Sequence, residues 1–169
     1  MIIYALPVGQ GILAISPIPG VDSDYAGDLQ HFIDWKPSIV VSLVTEVELV
    51  AAGAAGLWRD LVDAGTRWEH LPLSDFGVPD DAFEEAWPAV STGIRRALSG
   101  GGRILIHCRG GCGRSGMVAL RLMIEIGEGG EDALKRLRAV RPCAVETSEQ
   151  MAWAMSAKRA PAVFLRHED

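Results

Sequence analysis

The sequence has little of what marks several common protein classes. No apolar run approaches the roughly 20 residues a helix needs to cross a bilayer. The apolar N-terminus lacks a basic start: its first lysine is Lys36, and Pro7, Gly9 and Gly11 interrupt it, so it makes a poor signal peptide. Positive charge is short, with 16 Lys and Arg against 22 Asp and Glu, a net charge of −6. That balance argues against a general nucleic-acid or anionic-membrane binder. Cysteines number three, odd and irregularly spaced, so no disulfide framework is expected. None of the four histidines, His31, His70, His107 and His167, falls at a zinc-ligand spacing, so none is assigned to a metal. Repeats, low-complexity segments and linkers are missing as well. What remains is a chain of 169 residues, 49% hydrophobic, long enough for a full core. It is expected to form a single domain over 1–169.

The pattern of apolar runs predicts alternating strands and helices. Residues 2–6 and 12–15 read as two short strands about a Gly9-Gln10-Gly11 turn. Asp24 can cap a helix carrying Tyr25, Leu29, Phe32 and Ile33 on one face, ending before Pro37. Residues 39–44 are nearly continuously apolar, as in a parallel strand covered on both faces. Thr45 and Glu48 make a capping-box pattern for the next helix, which Gly53 and Gly56 interrupt. Residues 68–71 suit a further strand. Asp81 and Glu84 predict the cap of a helix burying Phe83, Trp87, Val90, Ile94 and Leu98, with a kink or break near Pro88. A helix is expected over 131–140, and a last one from the Thr147–Gln150 box to about residue 160. Val163, Phe164 and Leu165 form an apolar tail that the pattern does not place.

The densest chemistry lies between the strand Arg103-Ile104-Leu105-Ile106 and a run of helix formers from Met117. The stretch His107-Cys108-Arg109-Gly110-Gly111-Cys112-Gly113-Arg114-Ser115-Gly116 is a glycine-rich turn from strand to helix. Such a turn aims backbone N–H groups and the positive end of a helix dipole at one point, an anion site. Five residues separate Cys108 from Arg114. A loop of that length can curl around one phosphate, with the thiol beneath and the guanidinium folded over two oxygens. Gly110, Gly111 and Gly113 let amides approach closely. An ordinary turn would not explain an arginine, which is costly to bury unpaired. The Gly-Lys-Ser/Thr ending of nucleotide-binding phosphate loops is missing.

The thiol must be a thiolate to attack phosphorus. An ordinary cysteine is only a few per cent ionised at neutral pH, and making the thiolate dominant takes about 4 kcal/mol of preferential stabilisation. A helix dipole supplies about 0.3–1 kcal/mol, so the loop amides and Arg114 must add the rest. Ser115 is placed to hydrogen-bond the sulfur as it leaves.

His107-Cys108-x-x-Gly111-x-Gly113-Arg114-Ser115-Gly116 resembles the signature of the protein tyrosine phosphatase superfamily, and every fixed position is filled. The resemblance implies an α/β fold, a central mostly parallel sheet flanked by helices. It implies phosphomonoester hydrolysis through a phosphocysteine, without metal or cofactor. Superfamily members take a general acid from a loop some thirty residues before the cysteine. Asp75 lies 33 residues before Cys108, in the loop Asp75-Phe76-Gly77-Val78-Pro79, which is similar to the acid loops of the compact dual-specificity group. Gly77 is a candidate hinge, and Asp80 or Asp81 would be next in line as the acid. The segment Arg141-Pro142-Cys143-Ala144 through Thr147 and Gln150 resembles a segment of that group that brings a glutamine near the pocket, with Cys143 where glycine is usual. Gln150 can cap its helix or position water, and His107 can orient the loop or carry protons.

Arg109 and Cys112 occupy the loop's variable positions, and one arginine at the rim favours a dianionic phosphomonoester. Lipid phosphatases of the superfamily tend to carry two basic residues there, which weighs against a phosphoinositide. The expected substrates are phosphorylated proteins or peptides, with phosphate-like anions binding in the loop formed by Arg109, Gly110, Gly111, Cys112 and Gly113. A nucleophilic thiol must stay reduced, so a reducing cytoplasm is expected. Cys112 reads as a bystander, its Cα too far from Cys108 for a bond, and Cys143 is a second candidate to rescue an oxidised Cys108. Three other functions compete: a phosphoinositide or other non-protein phosphatase, a silent phospho-binding module, and a thiol redox enzyme or arsenate reductase.

Overall fold

The computed structural model describes residues 1–163; Phe164 and Leu165 of the apolar tail lie outside the described residues. Five strands form one sheet: β1 (Tyr4–Val8), β2 (Gly11–Ser16), β3 (Ile39–Ser42), β4 (Arg67–His70) and β5 (Arg103–His107). Their spatial order is β1-β2-β5-β3-β4. The β1–β2 hairpin is antiparallel, and β2, β5, β3 and β4 run parallel. The sheet is flanked by seven helices: α1 (Tyr25–Asp34), α2 (Glu46–Ala51), α3 (Leu57–Asp63), α4 (Asp81–Ser99), α5 (Gly113–Ile126), α6 (Gly130–Val140) and α7 (Ser148–Met155). This is the expected mostly parallel α/β architecture.

The central strands are mostly apolar because they are covered on both faces. All four residues of β3 are buried, as are Ile104 to His107 of β5. Parallel strands send their carboxyl ends to one edge of the sheet, where open α/β sheets bind ligands. Here β2 ends at Ser16 and β3 at Ser42, each in register with His107, the last residue of β5. The loops after β2, β3, β4 and β5 therefore converge.

Several boundaries differ from the sequence reading. Pro7 lies inside β1, which the edge position allows because no partner needs its missing N–H. Asp80, rather than Asp81, caps α4, its side chain accepting from the Phe83 amide at 2.9 Å. Helix α4 runs unbroken through Pro88, whose exposed position leaves water to bond the carbonyl that lacks an N–H. Helix α7 stops at Met155, earlier than expected. Ala160 precedes Pro161, which disfavours helical backbone there, and its N–H bonds the Glu125 carbonyl instead.

The shifted cap of α4 is testable by urea unfolding. Asp80→Ala should cost about 1 kcal/mol, the usual loss of a capping carboxylate, and Asp81→Ala less than half of that. Equal losses would put the cap at 81.

Candidate active site

Strand β5 delivers Cys108 to the floor of a loop, and α5 begins at Gly113 with Cys112 as its N-cap residue. Cys108 is 3% exposed and is a free thiol. Its sulfur accepts the Gly111 N–H at 3.3 Å and lies 3.2 Å from Ser115 Oγ. Gly111 has a φ of +74°, and a Cβ there would meet the Ser16 carbonyl carbon at 2.6 Å, so only glycine turns this amide inward. A Cβ at Gly113 would clash with the Glu146 carboxylate and meet the Gln150 amide oxygen at 3.0 Å, so the exposed Glu146 side chain would have to move. At Gly110, in contrast, a Cβ would meet nothing within 4 Å, so the protein's own packing does not demand glycine there.

Arg114 is 2% exposed, and Glu48 is its counter-charge. The guanidinium makes a two-pronged pair, Nη1 to Oε1 at 2.7 Å and Nη2 to Oε2 at 2.8 Å, and Nη1 also donates to the Leu73 carbonyl at 2.9 Å. Burial, the largest influence, would lower the Arg114 pKa, but the bonds to Glu48 and the charges of Cys108, Glu48 and Asp75 together outweigh it and the net shift is upward. Burial would likewise raise Glu48, and the bonds from Arg114 and Thr45 bring it below the usual carboxylate range. Of the five guanidinium N–H bonds, three go to Glu48 and Leu73. The Nε edge, with one N–H of Nη2, is left open by these bonds.

Asp75 stands beside that edge, Oδ1 3.4 Å from Nη2, with half of its side chain exposed. Its loop is a tight turn in which Phe76, rather than Gly77, takes the left-handed conformation at φ +57°, with Asp75 Oδ1 accepting the Phe76 N–H at 3.0 Å. Gly77 is required by close approach: a Cβ would lie 2.6 Å from the Ser74 carbonyl oxygen. Asp80 is committed to its helix.

Gln150 is fully buried and closes the α7 capping box, its Oε1 accepting the Glu146 and Thr147 amides. Its Nε2 donates to Gly77 O at 3.2 Å, so this amide also tethers the loop that carries Asp75. Arg109 is exposed and, with Glu48, borders a hollow of about 230 Å³ lined otherwise by Ile18, Gly20, Val21, Val47, Ala51 and Ala52.

Cys112 requires a correction. It is disulfide-bonded to Cys143, with 5.2 Å between Cα atoms. Its side chain therefore turns away from the cradle and offers nothing to substrate, and Cys143 is paired with Cys112 rather than poised for Cys108. The linear spacing hid this because the two lie 31 positions apart, with α5 and α6 between them. The cysteine count thus lends no support to a reducing compartment.

His107 is fully buried, and burial pushes its pKa down from 6.5 to about 4. Its Nδ1 faces the Cys108 carbonyl at 3.2 Å, so Nδ1 carries the proton and Nε2 accepts from Ser42 Oγ. Ser42 in turn accepts Trp68 Nε1–H at 2.8 Å. This neutral ring with both nitrogens engaged fits an orienting part rather than a proton carrier.

Sequence reasoning missed Glu48, Ser42 and Arg141. The buried arginine announced that it needed an anion, but nothing in the sequence pointed 66 residues back to the acid of a capping box.

The protein-tyrosine phosphatase family model matches residues 68–158. The chain belongs to the protein-tyrosine phosphatase family. No curated protein matches it in sequence. Among solved structures, Tk-PTP in its active form is 30% identical, with 89% of this chain and 92% of that one covered and a TM-score of 0.67. Kinase-associated phosphatase with serine in place of its catalytic cysteine is 23% identical, covering 91% and 92%, with a TM-score of 0.80. PTPMT1 in complex with PI(5)P is 14% identical, covering 90% and 92%, with a TM-score of 0.68. Together with dual-specificity phosphatases such as human DUSP28, they place this phosphatase in the compact architecture of that group. No helix among the described residues is long and apolar enough to cross a membrane.

Two outcomes follow for this phosphatase. The unfolded chain protonates His107 near 6.5 and the folded one only near 4, so its contribution to stability is complete above about pH 6.5 and fades as the pH falls toward 4. The full loss is about 3 kcal/mol. Urea midpoints between pH 7 and 4 should show it, and His107→Gln should flatten that slope; an unchanged slope would refute the assignment. Glu48→Ala strands the Arg114 charge and should lower kcat/KM for a phosphate ester by about tenfold or more, measured on protein whose far-UV spectrum is unchanged.

Proposed function

We propose that this phosphatase hydrolyses phosphomonoesters of proteins and peptides through a phosphocysteine at Cys108, with phosphotyrosine as its preferred substrate. The observation that carries the reading is the convergence of a buried thiol, a buried arginine with one open edge and a loop carboxylate within one small cradle.

The groups divide the work as follows. Hydrogen bonds to a charged acceptor contribute about 1.5–3 kcal/mol each, so Gly111 N–H and Ser115 O–H on the Cys108 sulfur favour the thiolate. The thiolate attacks phosphorus in line. The Nε edge of Arg114 and the inward amides of residues 109–113 bind the equatorial oxygens, where charge develops. Asp75, in its protonated form, gives its proton to the leaving oxygen. Water then attacks the phosphocysteine with Asp75 as base, and Ser115 donates to the departing sulfur. Glu48 keeps Arg114 in place through both half-reactions. Gln150 holds the acid loop by Gly77, a task that leaves its amide little freedom to position water.

Substrate preference rests on what surrounds the loop. The adjoining hollow is walled by the apolar side chains of Ile18, Val21, Val47, Ala51 and Ala52, with Glu48 and Arg109 its charged borders and Arg109 its one basic side chain. An aromatic phosphoester can lay its ring against that wall, while exposed Phe76 and Val78 border the acid loop. A phosphoinositide headgroup carries several phosphates and would need more cations than Arg109. The likeness to PTPMT1 is one of fold. A purely phospho-binding module would not need the thiol and the acid together, and a redox enzyme would need a partner thiol that Cys108 lacks among the described residues. The whole of 1–169 is taken as one phosphatase domain.

Hydrolysis of p-nitrophenyl phosphate by wild type, Cys108→Ser and Asp75→Ala tests the mechanism. The first variant should be inactive. The second should lose about 10²–10⁴-fold on phosphotyrosine peptides and less on the activated phenol. Faster turnover of soluble phosphoinositides than of phosphotyrosine peptides would overturn the substrate assignment.

A further inference from the structure

A loop that turns its N–H groups toward an anion must turn its carbonyls outward, and each outward carbonyl needs a donor. The Arg109 carbonyl accepts from the Ile18 amide at 3.1 Å. The next three are served by one short segment. Arg141 donates from Nη2 to Gly110 O at 2.9 Å and from Nε to Gly111 O at 3.1 Å. The Val145 amide donates to Cys112 O at 3.2 Å. The Cys112–Cys143 disulfide joins the same segment to the loop covalently.

The segment is itself anchored. Arg141 lies 4.2 Å above the Tyr4 ring and donates from Nη1 to the Tyr4 hydroxyl at 2.8 Å. Arg138 donates to the carbonyls of Ala144 and Val145. Val145 is buried in the left-handed region at φ +67°, a conformation that a β-branched residue adopts only where its surroundings impose it. Gly116 sits so close that a Cβ would lie 2.6 Å from the Val145 nitrogen.

We propose that residues 141–145 are a strap that fixes the peptide orientation of the phosphate loop, with Arg141 as its positioning residue and the Cys112–Cys143 disulfide as its removable fastener. The proposal rests on the loop being the phosphate site. Cys143 is exposed, so a soluble dithiol can reach it. Attack on Cys143 Sγ breaks the S–S bond and forms a mixed disulfide. The second thiol of the reductant then displaces Cys143. The protein gains two electrons and two protons as free Cys112 and Cys143 thiols, and the dithiol leaves as a disulfide. With the fastener open, the loop must be ordered when the anion binds, and affinity falls. The sense is opposite to oxidative inactivation of a nucleophile: this site works best while the Cys112–Cys143 pair is oxidised.

The test measures protection of Cys108 from iodoacetamide by inorganic phosphate, and phosphate and vanadate inhibition of p-nitrophenyl phosphate hydrolysis. Wild type is compared with its disulfide intact, verified by mass, and after dithiothreitol, alongside Cys143→Ser, Arg141→Ala and Arg141→Lys. Reduction and Cys143→Ser should each weaken both anions by roughly three- to tenfold, and Cys143→Ser should not respond to dithiothreitol. Arg141→Ala should weaken them about tenfold or more. Arg141→Lys should rescue little, because an ammonium cannot bond two carbonyls as a fork does. A variant that loses thermal stability yet keeps wild-type anion affinity would count as merely structural and against the strap. Should a variant not fold, the oxidised and reduced wild type still decide, being the same chain. Equal affinities in those two forms overturn the fastener, and unchanged affinity in Arg141→Ala overturns the strap. Phosphate that protects Cys108 in no form would overturn the phosphate-site reading and the strap with it.

Discussion

The buried pair of Arg114 and Glu48 is the constraint on which the site depends. A guanidinium this deeply buried is tolerable only with a counter-charge and partners for the N–H groups that face the protein. Glu48 provides both prongs, and Leu73 takes a further N–H. The same carboxylate closes the capping box of α2 through the Thr45 amide. Local helix capping and the orientation of the Arg114 fork are therefore one arrangement. A fork held on one side by protein presents its other side in a fixed direction, which is what preorganised electrostatic stabilisation requires.

The sheet explains how residues so far apart in sequence meet. Ser42, His70 and His107 end neighbouring parallel strands, and the chain beyond each carries one part of the site. Glu48 follows β3, Asp75 follows β4 and Cys108 follows β5. Each loop needs only to turn at the sheet's carboxyl edge to bring its group to the same place. Further support comes from behind, where Ser42 and Trp68 fix the His107 ring and Gln150 and the 141–145 segment bear on the two loops.

The parts of this arrangement governed by local chemistry were legible in the sequence. The cap at Asp24, the boxes at Thr45 and Thr147, the buried β3 and the strand–loop–helix around Cys108 all follow from neighbouring residues. The parts governed by distant contacts were not. Pro88 reads as a breaker until its exposure is known. Glu48 reads as a cap alone until the fold brings Arg114 against it. Cys112 and Cys143 read as unrelated thiols because α5 and α6 lie between them in sequence, and only the path of the chain back along the loop brings their Cα atoms to bonding distance. Tyr4 gives no sign in the sequence that it holds Arg141, and through it the back of the loop.

The order of strands has a bearing on how much of the chain makes an independent unit. The span shared with the family, 68–158, includes β5 and the catalytic loop but neither β2 nor β3, the two strands that β5 pairs with. Trimmed to that span, the molecule would expose both rims of its innermost strand and lose the acid that cages Arg114. The recognisable portion of this protein is thus smaller than its smallest foldable portion, and the N-terminal sixty-odd residues, silent in motif, are the walls against which the motif is built.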